Sequence, residues 1–166
     1  MMTTLYKTVP FLFVSILCGT VLAADDSLSS YKGLRVPPMP PGHEAVDGYL
    51  INTKAPVEYA MSEIWFGKQK MWWLKKLISR DTKGKANFEV VSAIARPEIP
   101  KEYYFVKGNC KKNGVAVSEI IAATKYDRNK KEFTEIHSAW YVDTVTETFR
   151  PYPTVGVTCI NESYGL

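Results

Sequence analysis

Residues 103–126 read YYFVKGNCKKNGVAVSEIIAATKY, and the KKNG in the middle decides the fold class. Lys111-Lys112-Asn113-Gly114 separates two apolar, strand-forming runs, 103–110 and 115–126. A two-residue hairpin loop matches the twist of its strands when its central residues take positive φ, and Asn-Gly does so at low cost. The same arrangement recurs outward in both directions. Downstream, Asp127-Arg128-Asn129-Lys130 parts 115–126 from 132–142. Upstream, Asp81-Thr82-Lys83-Gly84 parts 71–79 from 86–95. Successive strands joined by short turns predict an antiparallel meander.

Alternation supports the strands between these turns. In 86–95, Phe88, Val90 and Ile94 fall on one side and Asn87 and Glu89 on the other. In 132–142, Ile136, Trp140 and Val142 share a face opposite Glu135 and His137. The run 115–123 is apolar on both faces, as a central strand or a buried helix would be, and its β-branched residues favour strand. Residues 71–78 are ambiguous. Helical spacing gathers Met71, Trp73, Leu74, Leu77 and Ile78 opposite Lys75, Lys76 and Arg80. The turns on either side favour a strand among strands, which is the expectation. Near the end, Pro151 and Pro153 break any helix through them, and 155–160 fits a short edge strand or the start of a terminal helix.

The N-terminus has the three parts of a secretory signal. Lys7 gives the positive region, FLFVSILCGTVL at 11–22 the apolar region, and Val21-Leu22-Ala23 a cleavage site after Ala23. The apolar run is too short for a membrane span of roughly 20 residues. Cys18 lacks a small residue directly ahead of it, as lipid modification would need. Removing 23 of the 166 residues leaves 143, enough for one domain. Lys7 is the sole charge lost, so the net charge falls from +4 to +3. The expected organisation is a signal peptide at 1–23, a proline-rich arm at 24–47 and a β-rich domain at 48–166. Pro37-Pro38-Met39-Pro40-Pro41 gives the arm extended polyproline character, without backbone pairing.

Two cysteines survive cleavage, Cys110 and Cys159, and in an oxidising compartment they are expected to pair. Closing a loop of about fifty residues stabilises by roughly 3–4 kcal/mol. Catalytic chemistry finds no support. His43 and His137 have no partner at metal-ligand spacing, and neither a nucleophile elbow nor a phosphate-cradling glycine loop occurs. No cofactor is implied. Asn161-Glu162-Ser163 is a glycosylation sequon of a kind frequent by chance.

The one concentration of character is the strip 68–85. Lys68, Lys70, Lys75, Lys76, Arg80, Lys83 and Lys85 face the single acid Asp81, with Trp72 and Trp73 among them. Such a strip could hold an acidic polymer, an anionic lipid face or an acidic protein. It could equally be a core tryptophan beside lysines that guard a strand edge. Lys68, Lys70, Trp72, Trp73, Lys75, Lys76 and Arg80 are the candidate binding residues.

Across 48–165 the chain resembles the surface-adhesin protein E family of small bacterial envelope proteins. The resembling residues are Gly48-Tyr49-Leu50, Tyr59, Ser62-Glu63-Ile64-Trp65, the 103–110 strand ending in Asn109-Cys110, Tyr126-Asp127, Cys159-Ile160-Asn161 and Tyr164-Gly165. The resemblance implies an α+β, mainly β domain: an antiparallel sheet of about six strands, a helix near the C-terminus, and a disulfide tying the terminal segment to a strand. It also implies binding of extracellular host proteins. The chain departs from the known adhesins in lacking a lipid-anchoring cysteine.

The expectation is therefore a non-enzymatic, exported envelope or surface protein, adhesin-like, that contacts an extracellular or periplasmic protein or an anionic polymer. Nucleic acid is not an expected partner. The alternative is a periplasmic inhibitor or immunity protein that blocks a hydrolase.

Overall fold

The computed structural model describes residues 26–51 and 57–165. The expected signal peptide, its cleavage at Ala23 and Cys18 lie outside the described residues. The Asn-Gly hairpin forms, with Asn113 (φ 51°) and Gly114 (φ 82°) joining β7 (Cys110–Lys112) to β8 (Val115–Val117). Its arms are shorter than the sequence suggests. The run 103–110 turns at Gly108 (φ 74°), so that β6 (Tyr103–Lys107) and β7 lie in different sheets. The run 115–126 divides in the same way into β8 and β9 (Ile120–Lys125).

This sharing of runs between sheets corrects the expected strand number. The described residues hold thirteen strands in three antiparallel sheets, where about six were expected. The first sheet runs β1 (Arg35–Val36), β5 (Ala86–Ala95), β4 (Gln69–Arg80), β3 (Tyr59–Phe66), β2 (His43–Ile51). The second runs β12 (Thr148–Tyr152), β11 (Ile136–Asp143), β9, β6. The third runs β10 (Glu132–Phe133), β13 (Val157–Ile160), β7, β8. The ambiguous residues 71–78 are strand. They fail to alternate because residues 71–74 are buried on both faces, with Trp72 and Leu74 entering one core and Met71 and Trp73 the other.

Three clusters of side chains stack these layers. Trp72, Leu74, Ile121 and Val142 join the first sheet to the second. Ile120, Ala122, Ala139, Phe133 and Val157 join the second to the third, with the disulfide among them. Leu28, Val36, Ile64, Met71, Trp73 and Val90 form the last cluster, with Tyr31, Leu34 and Met39 packed against it. Here the N-terminal segment covers the outer face of the first sheet.

The segment expected as an unpaired arm is thus part of the fold. A 3-10 helix spans Asp26–Tyr31, and β1 pairs with β5 through Arg35↔Glu89 and Val36↔Phe88. Leu34 O accepts a hydrogen bond from Val90 N, and Gly33 N donates to Val90 O. Strand β2 then runs straight across the boundary expected at 47/48. The physical reason is that both faces of β4 are apolar, and the second must be covered. Leu28, Leu34, Val36 and Met39 supply the cover around the prolines.

Two further expectations are corrected by register shifts. Between Leu74 and Lys75 the β4–β5 register skips Val91, so Val91 and Ile94 enter the core facing the second sheet while Phe88 and Val90 stay on the outer face. A shift between Ile136 and Ser138 likewise sends Ile136 to the opposite core from Trp140 and Val142. One inserted residue inverts every side chain beyond it. The expected C-terminal helix is replaced by strand β13, held between β10 and β7 with Cys159 directly opposite Cys110. Those two residues form the expected disulfide, with both cysteines buried. No helix among the described residues is long and apolar enough to cross a membrane.

Candidate functional site

The structure does not hold the candidate residues together. Trp72 and Trp73 are fully buried on opposite faces of β4. Trp72 meets Phe105 (4.9 Å, 78°) and Trp140 (5.6 Å, 84°) edge-on, and Trp73 lies 4.9 Å from Tyr31. Neither is on the surface. The cations fall in two groups along β4, Lys68 and Lys70 at its start and Lys75, Lys76 and Arg80 further on, and at about 3.3 Å per residue Lys70 and Lys75 are roughly 17 Å apart.

At the far end the charges are mostly answered within the fold. Lys76 pairs with Glu147 at 3.1 Å and Arg80 with Glu58 at 2.6 Å. Lys75 lies 5.0 Å over the Phe88 ring, and burial pushes its ammonium below the ordinary lysine value. Asp81 accepts from the backbone N–H groups of Lys83 and Lys85, which shapes the turn and leaves those two side chains exposed. Burial raises the carboxyl of Glu147, but hydrogen bonds from Lys76 and Tyr59 outweigh it and hold the group below the ordinary carboxylate range.

At the near end Lys68 and Lys70 sit on an aromatic hairpin tip. Phe66 and Gln69 pair across a two-residue loop, and Gly67 (φ 57°) takes the first loop position as a type II′ turn requires. Trp65 and Phe66 remain 38% and 44% exposed. Lys70 Nζ stands 4.7 Å over the Trp65 ring. His43 stacks on Phe66 at 4.3 Å and 13°. The imidazole is itself fixed: Nδ1–H donates to the Pro41 carbonyl (3.1 Å), so Nε2 accepts from the Tyr31 hydroxyl (2.8 Å).

A charged network anchors the tip from below. Trp65 Nε1 donates to Glu63 (3.2 Å), and Glu63 in turn binds Lys107 at 2.6 Å and Arg96 at 3.6 Å. Lys107 also reaches Asp47 at 2.7 Å. Burial raises the Glu63 carboxyl, but the Lys107 hydrogen bond and charge, aided by Trp65 and Arg96, outweigh it and hold the group below the ordinary range. Asp47 behaves the same way, with Lys107 and the Gly48 N–H lowering it. Beside the tip a depression of about 490 Å³ is lined by Lys68, Lys70, Arg96, Pro97 and Glu98.

The tip thus keeps Lys68 and Lys70 from the sequence reading and adds His43, Trp65 and Phe66. Trp65-Phe66-Gly67-Lys68 is legible as two aromatics leading into a glycine turn, but the adjacent Trp72-Trp73 pair is the louder signal. Asn161 of the sequon is buried, its amide donating to the carbonyls of Asp127 (3.1 Å) and Lys130 (2.7 Å). Compared with known proteins, the chain matches no family model, no curated protein and no solved structure.

Proposed function

We propose that the protein is an exported, non-catalytic binding protein of the cell envelope or surface that holds a protein partner on the β3–β4 hairpin tip. The observation that carries this reading is the exposure of Trp65 and Phe66 on the two faces of one hairpin tip, Trp65 fixed by its hydrogen bond to Glu63 and Phe66 by its stack on His43. Large, immobilised aromatics dominate the energy of protein interfaces because they desolvate much area at little entropic cost. Lys68 and Lys70 form no ion pair with a carboxylate among the described residues and favour a partner with acidic groups at the rim of the contact. The resemblance to surface adhesins and the disulfide fit a role outside the cytoplasm.

The test uses purified protein of residues 24–166, with and without Trp65→Ser and Phe66→Ser, sedimented with envelope fractions of the source cells. The wild-type protein is retained saturably, and the double variant is retained at least tenfold less while keeping the wild-type circular dichroism spectrum and a cooperative melting transition. Equal retention of both proteins would remove the tip from the account.

A further inference from the structure

A separate cleft opens between β2, the edge strand β6 and the segment after β13. Its volume is about 340 Å³, within the range of about 300–1,000 Å³ typical of pockets for small ligands. One wall is aromatic. Tyr104 meets Tyr126 at 5.8 Å and 68° and Phe133 at 5.6 Å and 89°, and Tyr126 meets Phe133 at 6.1 Å and 43°. No two of these rings lie flat on one another. Phe133 is buried behind the group, whereas Tyr126 stays 52% exposed with no ring among the described residues stacked on it.

The other wall is polar. Asp47 remains 57% exposed although it accepts from Lys107 and from the Gly48 N–H. Glu162 accepts from Asn109 Nδ2 at 2.6 Å through one oxygen. Both carboxylates keep lone pairs for further donors. Tyr49 also lines the cleft, and its buried hydroxyl has no hydrogen-bond partner among the described residues.

An uncovered aromatic ring beside carboxylates and an amide suits a ligand with an apolar ring face and several hydroxyl donors. Asp47 and Glu162 outnumber Lys107 among the charged groups lining the cleft, which disfavours an anionic ligand. We propose that this cleft binds a sugar residue of a neutral glycan, with Tyr126 stacking on the ring and Asp47 and Glu162 accepting from its hydroxyls. The cleft shares Asp47 and Lys107 with the network beneath the hairpin tip, but Tyr126 and Glu162 lie outside that network, so substitutions there test the cleft without touching the tip.

The test is an NMR titration of residues 24–166 with three neutral probes, cellotriose, mannotriose and the trimer of N-acetylglucosamine. At least one gives saturable shifts of the Tyr104 and Tyr126 ring signals and the Asn109 amide, with a dissociation constant of about 0.1–1 mM. Tyr126→Ala weakens that binding at least tenfold and Glu162→Gln at least threefold, with both variants melting as the wild type does. The proposal is overturned if no probe gives saturable shifts up to about 10 mM, or if Tyr126→Ala binds unchanged. It is also overturned if only an extended peptide shifts signals here, at the Phe105 and Lys107 amides of the β6 edge.

Discussion

If residues 26–42 close the core, replacing Leu28 by Ala must cost what a core truncation costs. Leu28 is buried against the outer face of β4 and β5, in the cluster that holds Trp73, Met71 and Val90. Removing a buried leucine side chain to its β-carbon destabilises by about 2–5 kcal/mol, depending on how far the site collapses. The segment is a single layer over the outer face of the first sheet and can relax, which places Leu28→Ala near the lower end, about 2–3 kcal/mol. With a urea dependence of about 2 kcal/mol per molar for a domain of this size, the midpoint should fall by about 1–1.5 M. The assay is urea denaturation of residues 24–166 followed by tryptophan fluorescence, with Leu50→Ala as the comparison. Leu50 is 62% exposed, and its truncation should move stability by no more than about 0.5 kcal/mol. A midpoint for Leu28→Ala equal to that of Leu50→Ala would mean that the segment is a tether after all, and that the outer face of β4 is covered by something else.

Three further outcomes follow from the same structure. Replacing Cys110 and Cys159 together by Ser releases a loop of sequence separation 49 and should lower stability by roughly 3–4 kcal/mol, measured by the same denaturation; two thiols alkylated in the native wild-type protein would contradict it. Lys107→Met leaves the nearly buried Glu63 with Arg96 and the Trp65 N–H and should cost about 2–3 kcal/mol, whereas an unchanged melting temperature would show the network to be energetically idle. Asp47, Glu63 and Glu147 are all held below the ordinary carboxylate range in the folded protein, so the unfolded chain takes up protons first on acidification. Their contribution is complete above about pH 5 and is lost as pH falls through the lowered values; a urea midpoint that rises from pH 5 to pH 3 would contradict the ion-pair assignment.

The hairpins were legible because turn chemistry is local. Asn113-Gly114 and Asp81-Gly84 announce their loops through residues that accept positive φ or cap a turn, and both loops formed. The layering was not legible, because it depends on what each strand meets. The run 103–110 looks continuous, and nothing but Gly108 marks the place where it leaves one sheet for another. Register shifts beside Lys75 and at 136–138 carry no composition signal, yet each inverts the faces beyond it. The proline segment was read by its prolines, while Leu28, Tyr31, Leu34, Val36 and Met39 do the packing. The same weakness governed the site. Composition found the basic, aromatic strip 68–85, but burial hides its Trp72 and Trp73, and the exposed aromatics, Trp65 and Phe66, lie just ahead of it.

The central claim is that the β3–β4 tip is the surface that meets the partner. It is tested most directly by placing a photo-reactive side chain at Gln69 in the tip, and separately at Val145 in the exposed β11–β12 loop, and irradiating intact source cells. A discrete cross-linked adduct from position 69, absent from position 145 and lost on Trp65→Ser with Phe66→Ser, is the expected result. An adduct from position 145 alone, or one from position 69 that survives the tip substitutions, would contradict it.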